Sequence, residues 1–231
     1  MKLEKITNSG DVSRNRWYDD ACGTALALEF VGERWSLLVM RELMFGPRRF
    51  GELRANLPGI SANVLTQRLG GLENARIVRR RTLPSPASVQ VYELTPWGLE
   101  VEPVLQTMGR WATRSPRHDP MLFLSPASAM LSLRTMIDAG RAAGERVTIA
   151  FRLAGDMFVA ELANGVLTIR RGESAADVVV ETDTTTLVGL VYGKRSADDA
   201  RAAGKLTLEG DMAAWARFVD LFALPEKVAV E

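Results

Sequence analysis

Cys22 and His118 are the only cysteine and the only histidine in 231 residues. A lone cysteine excludes an internal disulfide, and the two together are too small a set for a zinc site. No apolar run approaches the ~18 residues of a membrane-spanning helix. The N-terminal stretch MKLEKITNSGDVSRNR lacks the apolar centre of a secretory signal. These absences predict a cytoplasmic protein with no membrane partner, no metal and no cofactor. Catalytic signatures are missing as well: there is no nucleophile elbow and no phosphate-binding glycine loop, so an enzyme is not expected.

What remains is a soluble composition, 47% hydrophobic and 25% charged, with length for two domains. Charge divides the chain. Residues 1–118 hold 17 Lys+Arg and 12 Asp+Glu, a net of +5; residues 119–231 hold 12 and 16, a net of −4. That asymmetry suits two domains with different partners. Within the basic half, residues 46–81 hold eight arginines and two acids, a net of +6. So small and basic a segment suits phosphate.

The pattern along this half is helical from Asp20, breaks at Gly32, and resumes from Glu33 to Phe45 until Gly46-Pro47 stops it. A short helix, Arg49 to Leu57, follows. Pro58-Gly59 is a turn, and Ser61 is placed to cap a helix over 61–75. In that helix Val64, Leu65, Leu69 and Leu72 point inward. Asn63, Thr66 and Gln67 fall on the other face with Arg68 beside them. Amide side chains suit base edges, since Asn or Gln bonds adenine bidentately. Ile77–Leu83 and Val89–Leu94 read as a hairpin with PSPAS at its tip. Strand alternation puts Arg79 and Arg81 on one face and Arg80 on the other. Thr95 caps a long helix to about Arg114 with a wide apolar stripe, and self-association is its natural use.

Two prolines in 115–120 mark a boundary. Beyond it the pattern predicts a helix (Ala127–Ala143), three alternating strands (Val147–Leu153, Met157–Leu162, Val166–Ile169) and a fourth (Asp177–Thr182). Two helices, a fifth strand near Lys205–Leu208 and a last helix capped by Asp211 complete it. The expected organisation is a flexible N-terminus (1–16), a DNA-binding domain (17–115), a linker (116–125) and an α+β domain (126–231) with an antiparallel sheet covered by helices.

Three segments carry a resemblance: GERWSLLVMRELMFGPRRFGEL, LPGISANVLTQRLGGLE and YELTPWGLEVEPVL. Their Gly-x-x-Trp, Gly-Pro-x-x-Phe-x-x-Leu and Ile-Ser-x-x-x-Leu-x-x-x-Leu spacings resemble the HxlR-type winged helix-turn-helix transcriptional regulators. The resemblance implies a homodimer on a pseudo-palindromic operator in double-stranded DNA, its recognition helix starting near Ser61. Arg48, Arg49, Arg79 and Arg81 would hold phosphates and Asn63, Thr66 and Gln67 would read bases, with Ser61 and Arg68 also counted among the DNA contacts. It also implies a redox- or electrophile-sensing role for Cys22. One departure is Arg76, where the family usually has glycine in left-handed geometry; with Gly70-Gly71 inside the helix, its far end is expected to fray or bend. Residues 176–222 resemble the sterol-carrier-protein-2-like fold through their Gly-Lys, Gly-Lys-Leu and Glu-Gly-Asp marks. That implies a tunnel for a hydrophobic effector, lined by Phe123, Met136, Phe151, Met157, Phe158, Trp215, Phe218 and Phe222. Two alternatives stay open: a regulator controlled through Cys22 with a structural C-terminal domain, and a lipid-transfer or lipid-binding protein.

Overall fold

The protein is described here by a computed structural model of residues 18–229; the expected flexible stretch 1–16 lies outside them. The N-terminal half runs α1 (Gly23–Val31), α2 (Ser36–Leu43), α3 (Phe50–Ala55), α4 (Ala62–Asn74), β1 (Val78–Thr82), β2 (Gln90–Leu94), α5 (Pro96–Leu99) and α6 (Glu102–Thr113). Val39, Met40 and Leu43 of α2 are buried with Leu53 of α3 and Leu65, Leu69 and Leu72 of α4 in one core. These are the inward positions of each 3.6-residue period, so burial of one stripe fixes how the three helices dock. Gly59 turns the chain at φ +91°, a conformation open to glycine, and Ser61 then caps α4 by accepting the Val64 N–H at 3.2 Å. β1 and β2 pair antiparallel, and Arg48 adds one more rung: its N–H bonds Tyr92 O at 2.9 Å and its O accepts from Tyr92 N at 2.8 Å.

Arg76 takes left-handed geometry, φ +60°, as its position demands. The Ile77 N–H reaches back to Leu72 O at 2.9 Å and closes the helix end. The helix does not break at Gly70-Gly71; buried Leu69 and Leu72 hold it on either side. A methyl group at Gly71 would meet nothing within 4 Å. Gly71→Ala is therefore expected to stabilise the chain by about 1 kcal/mol, raising the thermal midpoint by roughly 2–4 °C; an unchanged or lower melt would show that the site is not an ordinary helical position.

Two expectations need correction here. The helix from Thr95 is two helices. Thr95 caps α5, its hydroxyl accepting from Gly98 N at 3.0 Å, and α6 starts afresh at Glu102. Pro103 lacks the N–H that a continuous helix would bond to Leu99 O. Likewise the helix from Ala127 ends at Met136, because Ile137 is extended and pairs with Phe222.

The C-terminal half runs α7 (Pro126–Met136), α8 (Ala139–Ala142), β3 (Val147–Leu153), β4 (Asp156–Ala163), β5 (Val166–Arg171), β6 (Val178–Thr182), α9 (Thr184–Val191), α10 (Ala197–Ala202), β7 (Leu206–Gly210) and α11 (Met212–Asp220). Strand order is β5-β4-β3-β6-β7. Ala154-Gly155 and Asn164-Gly165, all at positive φ, make the two tight hairpins, whose handedness matches strand twist. The sheet is not wholly antiparallel: β3 and β6 run parallel. β4 already occupies one edge of β3, so the chain leaving β5 must cross to the other edge. Val147, Ile149, Phe151 and Leu153 alternate inward, and Trp215 and Phe218 of α11 pack on Phe151, with Phe222 against Phe218. That packing corrects the tunnel expectation. Phe151, Phe158, Trp215, Phe218 and Phe222 are buried and fill the interior as core, while Phe123 and Met157 lie on the surface.

The halves are joined by buried polar and aromatic contacts. Glu42, with 0% exposure, accepts a hydrogen bond from Ser125 Oγ at 2.6 Å. Phe45 meets Phe158 edge-on at 5.6 Å. Arg134 of α7 pairs with Glu102 of α6 at 2.8 Å. Arg48 reaches Asp156 at the start of β4, which also holds Arg171.

Candidate nucleic-acid interface

α4 presents Ser61, Asn63, Thr66 and Gln67 to solvent while Leu65, Leu69 and Leu72 anchor its other side. Asn63 and Gln67 are four apart and share a face. The Thr66 hydroxyl donates to Ala62 O at 2.9 Å, which leaves its oxygen to accept. The face is therefore a rigid set of amides and hydroxyls at the start of a capped helix.

The arginines divide. Arg49 is exposed, and its backbone N–H is held by Glu52 at 2.8 Å. Arg48 is not available to phosphate: it is 7% exposed and its guanidinium is committed to Asp156, a correction to the sequence reading. In an extended segment adjacent side chains point opposite ways, so when Arg49 faces out Arg48 faces in. Arg68 pairs with Glu33 at 3.0 Å, on the flank of α4 and away from its amide face. Arg79 and Arg81 share a face and converge on Glu93, at 2.7 and 2.8 Å. Burial of Glu93 would raise its pKa, but hydrogen bonds and charge from Arg81 and Arg79 outweigh that and hold it below the ordinary carboxylate value. The wing thus has its arginines pre-oriented by a carboxylate, with their outer edges open to solvent. Arg80, the opposite-facing member, pairs with Glu73 at 3.3 Å. Arg54 and Arg76 of the same basic segment, outside the predicted contact set, are exposed as well.

A second surface is apolar. α1 has no buried residue, and Leu26 and Leu28 are exposed on it. α6 likewise has none; Val104, Met108 and Trp111, the last 73% exposed, lie along it. Cys22 stands exposed at the N-cap of α1. Backbone hydrogen bonds from Thr24 and then Ala25 lower its thiol pKa. Among the described residues there is no cluster able to hold a metal ion, and no helix is long and apolar enough to cross a membrane.

Comparison with known proteins divides the chain as the fold does. Residues 30–119 match the model of the HxlR-like helix-turn-helix, and residues 119–228 match that of the alkyl sulfatase C-terminal domain. The HTH-type transcriptional regulator YodB of Bacillus subtilis is 40% identical over 86 residues, which are 37% of this chain and 77% of that one. A solved structure of quinone-bound YodB from B. subtilis shares 36% identity over 38% of this chain and 93% of its own, with a TM-score of 0.34. The sec-alkylsulfatase Pisa1 from Pseudomonas sp. shares 28% identity over 43% of this chain and 16% of its own, with a TM-score of 0.41. With the match of residues 30–119 to the family model and the 40% identity to YodB over 77% of its length, the chain belongs to the HxlR-like helix-turn-helix family of transcriptional regulators.

Proposed function

We propose that the protein binds a pseudo-palindromic operator as a homodimer, α4 entering the major groove and the wing holding the backbone. The observation that carries this reading is the exposed Asn63–Thr66–Gln67 face on a helix whose other side is locked into the core. Asn63 and Gln67 would read bases; Arg49, Arg79 and Arg81 would hold phosphates. The apolar surfaces of α1 and α6 would pair two copies, with half-sites one helical turn, ~10 bp, apart. Gln67→Ala is expected to weaken specific binding by about 1–3 kcal/mol at one base position and leave non-specific binding nearly unchanged. Quantitative mobility-shift titrations on an operator selected from genomic DNA, against a scrambled duplex, check it. Equal loss on both duplexes would remove Gln67 from the reading face.

A second reading, control through Cys22, is favoured by the place of the thiol: it is exposed at the N-cap position of α1, where neighbouring backbone N–H groups lower its pKa. The thiolate would add to a ring carbon of a quinone, forming a C–S bond as the ring C=C π pair shifts to the carbonyl oxygen, which takes a proton from water to leave a hydroquinone thioether. Alkylation by iodoacetamide should rise with pH through a midpoint below that of a free peptide cysteine. Quinone should release operator from the wild type and not from Cys22→Ser. If the two proteins respond alike, Cys22 is not the sensor.

A further inference from the structure

α2, α6 and α7 enclose a groove of about 540 Å³, formed jointly by the two halves of the chain. Its walls are Trp35, Leu38, Leu105, Met108, Trp111 and Leu131. That volume lies within the ~300–1,000 Å³ of small-molecule sites. The floor is more polar than the walls. Ser128, Ser132 and Thr135 line it, spaced along one side of α7. Ser132 Oγ is 2.6 Å from the Tyr192 hydroxyl, and Thr135 Oγ1 donates to Leu131 O at 2.7 Å. Ser128 is buried, and its Oγ has no hydrogen-bond partner among the described residues. A buried hydroxyl without a partner is destabilising, and one side-chain rotation would offer it to a bound group.

The charged side chains at the groove are engaged: Arg41 by buried Glu42 at 2.8 Å, Glu33 by Arg68 at 3.0 Å, and the Arg34 guanidinium over the Trp35 ring at 5.3 Å. The pKa of His118 is lowered by burial and then by the charge of Lys227, against the opposing pull of Asp119. Such a site favours an uncharged occupant. Leu26, Leu28 and Val104 lie outside the groove, while Met108 and Trp111 belong both to the exposed strip of α6 and to the groove wall, so a second copy seated on that strip would border the groove; the hydroxyl-bearing floor on α7 is no part of the strip.

We propose that this groove binds one neutral, apolar small molecule carrying a single hydrogen-bonding group that engages Ser128. The molecule would touch α2, which packs on α4, and also α7 of the other half. Its binding would shift DNA affinity to the extent that the groove differs between DNA-bound and free states. Only this last consequence rests on the regulator reading.

The test is titration of the full chain with N-phenyl-1-naphthylamine, a neutral apolar fluorophore with one N–H. Saturable enhancement at one probe per chain is expected. Leu38→Trp, which carries bulk into the groove from an exposed position, should weaken the probe by about tenfold or more. Ser128→Ala should weaken it less and raise the melting temperature of the free protein. Val166→Trp, on the exposed face of β5, should change nothing. The proposal is overturned if binding does not saturate, if Leu38→Trp binds as tightly as wild type, or if affinity falls as protein concentration rises, which would mean that a second copy fills the groove. Failure of the regulator reading is seen separately, as absence of any specific mobility shift without the probe.

Discussion

Asp156→Ala is expected to destabilise the protein by about 3–5 kcal/mol, as loss of one partner from a buried ion pair does. Asp156 opens β4 and holds two guanidiniums, Arg48 from the winged half and Arg171 from β5. All three side chains are largely shielded from water. Removing the carboxylate leaves two like charges facing each other across the junction. Burial and then the charge of Arg48 lower the pKa of Arg171 against the opposing pull of Asp156. Arg48 N and O are both bonded to Tyr92 of β2, so the loss loosens the base of the wing as well as the docking of the halves. Denaturant titration by circular dichroism measures the stability, and mobility shift at low temperature measures what remains of DNA binding. The companion comparison is sharper. Arg48→Ala should reduce stability and leave the salt slope of DNA binding nearly intact. Arg49→Ala should do the reverse, lowering the slope of log K against log salt by about 1 with little effect on folding. If Arg48→Ala instead lowers the salt slope and leaves the denaturation midpoint unchanged, Arg48 is a phosphate contact and the junction is not what holds it.

That contrast shows where the sequence was legible. α4, its Ser61 cap, the Pro58-Gly59 turn and the hairpin are written in neighbouring residues, and they came out within a residue or two. The apolar period of α4 also separated its buried side from its reading face. Arg48 could not be assigned this way, because its partner lies 108 residues on. The alternation of an extended segment says only that one of Arg48 and Arg49 faces inward. The apolar stripe runs across Pro103, and the stripe alone suggests one helix where the missing proline N–H makes two. The parallel β3–β6 pairing has no local mark, since it depends on which edge of β3 is still open. The aromatic residues of the second half show the opposite error. Phe151, Phe158, Phe218 and Phe222 were read as tunnel lining through resemblance, but a sheet covered by helices needs large side chains between its layers whether or not it holds a ligand. The groove at the junction was invisible for the same reason as Arg48: its walls come from segments that only the docking of the two halves brings together.

Val104→Asp should convert a dimer into a monomer at micromolar concentration and weaken operator binding by roughly 10²–10⁴-fold, the advantage of linking two half-site contacts. Val104 is exposed on α6 and lies outside the junction groove, so the change leaves both the core and the candidate ligand site alone. The physical case rests on two helices that lack what a solvated helix has. α1, GTALALEFV, carries a single charged residue, and none of its residues is buried. Tyr18 N bonds Glu29 at 2.8 Å, so even that charge is partly engaged. α6 adds Val104, Met108 and Trp111, and Trp97 and Leu99 of α5 continue the strip. An exposed apolar strip of this kind is what the proposed pairing of two copies would cover. An aspartate placed in it is buried without a partner on association, which costs more than the lost valine contact. Sedimentation velocity across a dilution series gives the dimer constant, and the same variant titrated on full and half operators gives its consequence. On the half operator wild type and variant should bind alike, because α4 and the wing are intact in each. Should Val104→Asp sediment as the wild type does and keep full operator affinity, the α1–α6 strip is not the surface that pairs two copies, and the two-fold arrangement of α4 helices would have to come from another face.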